Sequence, residues 1–290
     1  MLSKYIERIN QVYPYLPIKD YHTNDIGQNN YVIVVNHSFV FRFPKYNKGI
    51  ERLKEEAAIL DSVGDFVSIS TPKIKYRSFE EPEVGKVFIG YDLIKGVPFW
   101  GKSLYKIEDE KLKMDLAQQL VTFLLELHSI SHKDLAGIAL KDNDPHLAMY
   151  QLYRKIKDQL FPFMRTDAQR AISHSFEQFL SNNTDLNKKN TFIHGDFGSS
   201  NILWDPNINK ITGIIDFGGA RLGDPAYDFA GTLSSFGKDF FNMCMSIYPN
   251  GTEISERVKF YRSTFALQEA LHGIENDDRQ AFEDGIKNFR

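Results

Sequence analysis

The dominant apolar pattern of this chain changes at Gly96-Val97-Pro98, and that change limits what the chain can fold into. Before it, apolar residues come mostly in short β-rich runs; after it, they recur mainly every three or four residues. Tyr31-Val32-Ile33-Val34-Val35 and Phe39-Val40-Phe41-Arg42-Phe43 flank Asn36-His37-Ser38 as a hairpin would, and Pro44 closes the second run. Ile69 to Phe79 and Val87 to Ile94 predict two further strands, divided by the polar Glu80-Glu81-Pro82-Glu83. Residues 1–15 predict a helix with Ile6, Ile9 and Val12/Tyr13 on one side. Gly49 to Val63 predicts a second, with Leu53, Ala57 and Leu60 on one face and Gly64 as its stop. Beyond the break, Leu112, Leu116, Leu120, Phe123/Leu124 and Leu127 form a 3.6-period stripe. Residues 148–160, 168–180 and the last forty carry similar patterns. Asp224-Pro225 reads as a helix start, an N-cap with proline at the first helical position. The expectation is an α+β chain with a β-rich lobe at residues 1–95, a connector near 91–96 and a mainly helical lobe at 96–290.

Bulk properties narrow the function. The net charge of −3 and pI near 6.3 argue against a general nucleic-acid binder, while leaving a cationic ligand open. Cys244 is the only cysteine, which excludes an intrachain disulfide and a thiolate zinc site and fits a cytoplasmic setting. The first eight residues carry charges and no apolar run, so no signal peptide is expected. No stretch approaches the roughly 18 apolar residues of a membrane span. Oligomeric state is not legible.

Two apolar runs lead into acidic motifs. Thr191-Phe192-Ile193 precedes His194-Gly195-Asp196 with Asn201 five residues on, and Ile211-Thr212-Gly213-Ile214-Ile215 precedes Asp216-Phe217-Gly218. Phosphoryl transfer needs such a set. One carboxylate orients the attacking hydroxyl, and a second carboxylate with an amide holds Mg²⁺ against nucleotide phosphates. Asp196 is the expected base, Asn201 and Asp216 the expected metal ligands, and Gly218 gives the backbone freedom behind Asp216. His194 reads as scaffold beside Asp196 rather than as the base, and His128 as a structural residue at a helix C-terminus. His22, His37 and His132 show no metal spacing, and Trp100 and Trp204 read as packing residues.

The β-rich lobe is expected to hold the nucleotide. Gly27-Gln28-Asn29-Asn30-Tyr31 reads either as a loop over phosphates or as a polar turn. Arg42 lies between Phe41 and Phe43, and a buried cation needs a partner. Nucleotide phosphates and Glu56 on the following helix supply the functional reading, and a solvated edge position the plain one. Lys45 is a second candidate. Backbone groups of Asp92, Leu93 and Ile94 are placed to meet a purine edge, with ATP and GTP undistinguished.

These residues resemble the aminoglycoside phosphotransferase family, relatives of choline kinases and distant relatives of protein kinases, and within it the 2″-aminoglycoside phosphotransferases. The resemblance is carried by Phe39 to Lys45, Ile94 to Pro98, Leu124 to Ser129, Ile193 to Phe197, and Gly213 to Gly218 followed by Asp224-Pro225 and Asp228. It implies a bilobal protein-kinase-like fold and transfer of a γ-phosphoryl group from ATP or GTP to a hydroxyl. Asp196 would act as base, Asn201 and Asp216 would bind Mg²⁺, Glu56 would pair with the strand cation, and Asp224 and Asp228 would brace the catalytic loop.

The chain also departs from that pattern. Arg42 stands where many relatives have lysine, which changes phosphate contacts. Gly219 and Ala226 stand where 2″-type enzymes tend to have aspartates. Gly231 to Phe236 lacks the acidic pair those enzymes often use for aminoglycoside amines, although a polycationic sugar wants carboxylates nearby. Glu269, Glu275, Asp277 and Asp278 are the alternative source, or else a solvated face. An aminoglycoside is the leading acceptor. The alternatives are a macrolide, a choline-like amino alcohol or an amino sugar, and, in another class, an inactive nucleotide-binding module supported by Arg42 alone.

Overall fold

In the computed structural model, residues 2–24, 29–131, 133–135, 138, 144–186 and 190–290 are described. The chain divides into two compact units. The first comprises Met1–Phe99, Ile130–Leu140 and Ser200–Ala220; the second, Trp100–Ser129, Lys141–Ser199 and Arg221–Arg290.

The first unit is built on a five-stranded antiparallel sheet of β1 (Tyr21–Asn24), β2 (Asn30–Val35), β3 (Phe39–Pro44), β4 (Ile74–Ser78) and β5 (Phe88–Asp92), in the order β1-β2-β3-β5-β4. The β2–β3 hairpin turns through Asn36 and His37, both left-handed at φ 52° and 49°. Asparagine tolerates this conformation better than most residues, and here its side chain also ties the hairpin to the segment before β1, accepting from the Lys19 N–H at 2.8 Å and donating to the Pro17 carbonyl at 2.6 Å.

Strand alternation then decides what β3 presents. Phe41 and Phe43 enter a core with Ile33, Val35, Phe88 and, from helix α1 (Ser3–Val12), Tyr5 and Ile9. Arg42 belongs to the opposite face and meets helix α2 (Asn47–Val63). On α1 the expected Ile9 is fully buried and is joined by Tyr5, while Ile6 and Val12 are only partly buried. A second, three-stranded sheet of β6 (Val97–Pro98), β8 (Ile202–Asp205) and β9 (Lys210–Ile214) completes this unit.

Three details differ from the sequence expectations. β1 is a strand without an apolar run. β4 begins at Ile74 instead of Ile69: Pro72 has no N–H for a ladder, and the Ser70 carbonyl accepts from the Ile214 N–H at 2.9 Å. Trp204 packs on Phe99 at 4.9 Å between ring centroids, but Trp100 is 37 % exposed.

The second unit is mainly helical: α3 (Gly101–Leu104), α4 (Glu110–His128), α5 (Pro145–Lys155), α6 (Thr166–Asn182), α7 (Ala226–Ile247), α8 (Gly251–Glu275) and α9 (Arg279–Ile286), with a ribbon of β7 (Thr191–Ile193) and β10 (Arg221–Gly223). Asp109 caps α4 and Asp144 caps α5, each accepting from two backbone N–H groups of the first turn. Leu116, Leu120, Phe123, Leu124 and Leu127 bury the α4 stripe. Residues Ile156–Leu160 continue α5 as a π-turn, a change of pitch that a 3.6-residue period does not announce. Among the described residues, no helix is long and apolar enough to cross a membrane.

One buried cation ties α1 to the sheet. Arg8 donates to the Lys86 carbonyl at 3.1 Å, Gln11 Oε1 at 3.0 Å, Glu81 Oε1 at 2.9 Å and Ser78 Oγ at 2.9 Å. Replacing it takes the donor from the Lys86 carbonyl and from the buried Ser78 hydroxyl, which keeps only a long bond to Glu80 at 3.5 Å. Arg8→Met is expected to cost about 2 kcal/mol, read as a lower urea midpoint; an unchanged midpoint would show that α1 is held by its apolar contacts alone.

Candidate active site

The first unit gathers Arg42, Glu56 and Asp216. β3 delivers Arg42 and α2 delivers Glu56, both almost fully buried, with Arg42 Nη1 donating to Glu56 Oε1 at 2.5 Å. The same Glu56 oxygen accepts from the Phe217 N–H at 3.1 Å, so the ion pair also fixes the backbone just after Asp216. Arg42 Nη2 reaches Asp216 Oδ1 at 3.3 Å. Burial opposes the charge on Arg42, but Glu56, Tyr91 and Asp216 together outweigh it and push the guanidinium above its ordinary range. Burial raises the Glu56 carboxyl, with Arg42 as the main counterweight. It also pushes the nearby Tyr91 phenol up to about 12.

Asp216 follows β9 and has the left-handed backbone of φ 65°, ψ 72°, a strained choice for a non-glycine residue. Its side chain is 48 % exposed, in contrast to its two partners. Phe217 is buried in the short 3₁₀ turn Phe217–Gly219 and anchors the strained residue. Asn201 sits at the start of β8, and its carbonyl accepts from the Ile215 N–H at 2.9 Å. This bond and the Ile202–Ile214 pair set Asn201 opposite Ile215, one residue before Asp216, at the end of the β8–β9 ladder. A carboxylate and a carboxamide are hard oxygen donors, the kind of group Mg²⁺ takes.

The second unit holds the other motif. β7 ends at Ile193 and the chain enters His194-Gly195-Asp196, with Gly195 at φ 76°, where a side chain would be strained. His194 is fully buried and Asp196 is exposed. Beneath them lies Asp228 on α7, with no exposed side-chain surface. One of its oxygens accepts from the His194 N–H at 2.9 Å and the other from the Gly195 N–H at 2.8 Å. His128 Nε2, at the end of α4, bonds the same carboxylate at 3.0 Å, and His128 Nδ1 meets the Tyr248 hydroxyl at 3.1 Å. Asp224 is also buried. It receives Arg257 through two nitrogens at 2.7 and 3.2 Å, the Tyr261 hydroxyl at 3.2 Å and the Ala226 N–H at 3.0 Å. His128, Tyr248, Arg257 and Tyr261 come from helices far along the chain, and no local motif marked them as partners of Asp224 or Asp228.

The remaining candidates are dispersed. Gly27 lies outside the described residues. Lys45 stands over the Tyr31 ring at 5.3 Å. Asp92 pairs with Lys75 at 2.6 Å, and the Leu93 N–H donates to the Ser38 carbonyl at 2.7 Å. Ile94 packs against Gly213, where an added Cβ would collide with it. Glu269 is exposed on α8, Glu275 pairs with Lys155 at 2.7 Å, Asp277 is left-handed at φ 55°, and Asp278 caps α9. Ala226 is fully buried. Among the described residues, no three His, Cys, Asp or Glu side chains cluster as a metal site.

Burial opposes ionisation of Asp228, yet the His128 bond and charge, His194 and the loop N–H bond hold its pKa below the ordinary 3.8. A carboxylate with a folded-state pKa below its unfolded value stabilises the fold above the unfolded value, and that contribution fades as pH falls through the folded one. Asp228→Asn should therefore cost about 3 kcal/mol between neutral pH and pH 5. The gap between wild type and variant should close below about pH 4, as followed by thermal unfolding against pH.

The arrangement resembles known proteins along nearly its whole length. The viomycin phosphotransferase of Streptomyces vinaceus is 24 % identical over 276 residues, covering 91 % of each chain. The GDP and kanamycin complex of the aminoglycoside phosphotransferase APH(2″)-IIIa superposes with a TM-score of 0.90 at 24 % identity, covering 99 % of this chain and 97 % of that one. The macrolide 2′-phosphotransferase MphH from Brachybacterium faecium superposes at 0.79 with 16 % identity, covering 100 % and 98 %. The fold is thus the kinase-like fold of these phosphotransferases. The model of the phosphotransferase enzyme family matches residues 21–278, and the chain belongs to that family, whose members transfer a phosphoryl group to a hydroxyl.

Proposed function

We propose that this chain transfers the γ-phosphoryl group of ATP or GTP to a hydroxyl of a small molecule in a Mg²⁺-dependent reaction, with an aminoglycoside as the first acceptor to try. The observation that carries the reading is the division of labour among carboxylates. Glu56, Asp224 and Asp228 are buried and hydrogen-bonded, while Asp196 and Asp216 present solvent-facing carboxylates on the two motifs. In this reading Asp196 accepts or orients the proton of the acceptor hydroxyl. Asn201 and Asp216 hold Mg²⁺, which when bound neutralises charge on the phosphates. Arg42, kept in place by Glu56, contacts the nucleotide phosphates through its guanidinium fork. Residues 1–95 serve as the nucleotide lobe, with Gly27 and the backbone at Asp92, Leu93 and Ile94 near the nucleotide. Residues 96–290 serve as the catalytic and acceptor lobe. Related structures carry GDP, ADP or ATP, which supports a nucleotide donor without selecting one. With a single cysteine and therefore no intrachain disulfide, the chain suits a reducing cytoplasm.

The acceptor is the open part of the reading. Of the four acids considered for a cationic acceptor, Glu275 is paired and Asp278 caps a helix, so Glu269 and Asp277 are the more available. A second reading, another hydroxylated acceptor, is favoured by the uncharged α7 segment Gly231 to Phe236.

The test is release of nucleoside diphosphate with Mg²⁺ and ATP or GTP, across kanamycin, gentamicin, streptomycin, viomycin, a macrolide, choline and amino sugars. Asp196→Asn is expected to lower turnover at least about 10³-fold while nucleotide affinity stays within about twofold. Turnover unchanged in this variant would remove Asp196 from the mechanism.

A further inference from the structure

We propose that Gly231 and Ser235 of α7 are positioning residues for Asp196. This rests on the reading of Asp196 as the catalytic carboxylate and adds the device that sets its location. Positions 228, 231 and 235 are spaced by three and four residues, so they form one stripe along a helix. Each touches the loop after β7 at a different point. Asp228 takes the N–H groups of His194 and Gly195, before Asp196. Gly231 lies directly under the Phe197 carbonyl, so closely that a Cβ on residue 231 would collide with that oxygen and its carbon. Ser235 Oγ accepts from the Ser199 N–H at 3.0 Å. The stripe therefore grips the loop on both sides of Asp196, through the loop's own backbone.

Ser235 is itself held from behind. The first residue of α3, Gly101, approaches so near the Ser235 carbonyl that a Cβ there would overlap it. Two residues on, α7 breaks at Gly237, with φ 78° and ψ −179°, and the Tyr105 hydroxyl would lie 2.9 Å from a Cβ at that position. Within the loop, the Gly198 N–H closes a turn onto the Asp196 carbonyl at 2.9 Å, which passes the anchoring of residues 197 and 199 on to residue 196. The stripe has a chemical consequence as well. Gly231 has no room for a side chain and Ser235 is engaged by the loop, so neither position is available to a carboxylate that would greet a cationic acceptor. The neutral character of this part of α7 follows from its work on the loop.

A base displaced by a fraction of an ångström loses rate without losing nucleotide binding. Turnover is read with Mg²⁺ and ATP or GTP, both with kanamycin or viomycin as acceptor and as hydrolysis with water as acceptor. Ser235→Ala is expected to lower kcat about tenfold with KM for nucleotide within about twofold, and Ser235→Thr, which keeps the hydroxyl, to restore most of it. Hydrogen exchange in the 194–199 segment should accelerate in Ser235→Ala while α8 stays unchanged. In an Asp196→Asn background, Ser235→Ala should add no further loss, because the group it positions is gone. Gly231→Ala should be more severe than Ser235→Ala. Normal kcat and normal exchange in Ser235→Ala, with Asp196→Asn inactive, would overturn the positioning role and leave Asp196 standing. A loss in Ser235→Ala that appears only in KM, or that Ser235→Thr does not restore, would also overturn it. An Asp196→Asn enzyme with full turnover would remove both.

Discussion

The buried Arg42–Glu56 pair is the contact that organises Asp216 and the turn after it in the first unit. Two charges taken out of water are tolerated only when each remaining donor and acceptor finds a partner. Here the surplus is turned toward the motif: the second nitrogen of Arg42 goes to Asp216, and Glu56 also takes the Phe217 N–H. A pair needed only for stability would be replaceable by apolar residues of similar volume. This one is bound to a carboxylate that stays half exposed and to a backbone held left-handed, so its removal would release the geometry of Asp216 along with the ion pair. Arginine suits that task better than lysine, since a fork reaches two carboxylates at once.

The second unit solves the same problem with acids instead of a cation. Asp228 can be buried because three groups bond it, two loop N–H groups and His128, and Tyr248 holds His128 in turn. Asp224 is buried because Arg257, Tyr261 and the first turn of α7 meet it. Both are spent on organising backbone, which leaves Asp196 as the exposed carboxylate of the His-Gly-Asp segment. The family likeness gives the reaction class, and these contacts give the reason why particular aspartates are available for it.

Much of this was legible in the sequence because it is local. The β2–β3 hairpin, the α2 and α4 stripes and the Asp224-Pro225 helix start are patterns of neighbours, and residue spacing reports neighbours. What the sequence hid is non-local or depends on unusual backbone. His128 and Asp228 are a hundred positions apart, and nothing near either names the other. The contacts of Gly231 and Ser235 are made to backbone, which has no sequence signature. β1 escaped because Tyr21-His22-Thr23-Asn24 has too little apolar character to read as a strand, and is held by the register of β2. Trp100 read as a packing residue because of its type alone, and it is 37 % exposed just before α3.

In the proposed reaction a phosphoryl group moves intact from nucleotide to a hydroxyl of a small acceptor. The most direct measurement is mass spectrometry of candidate acceptors after incubation with enzyme, Mg²⁺ and γ-¹⁸O-labelled ATP or GTP. The expected product is an acceptor heavier by one labelled phosphoryl group, with three labelled oxygens retained and the bridging oxygen supplied by the acceptor. Nucleotide consumed with all label in free phosphate and every acceptor unmodified would contradict it.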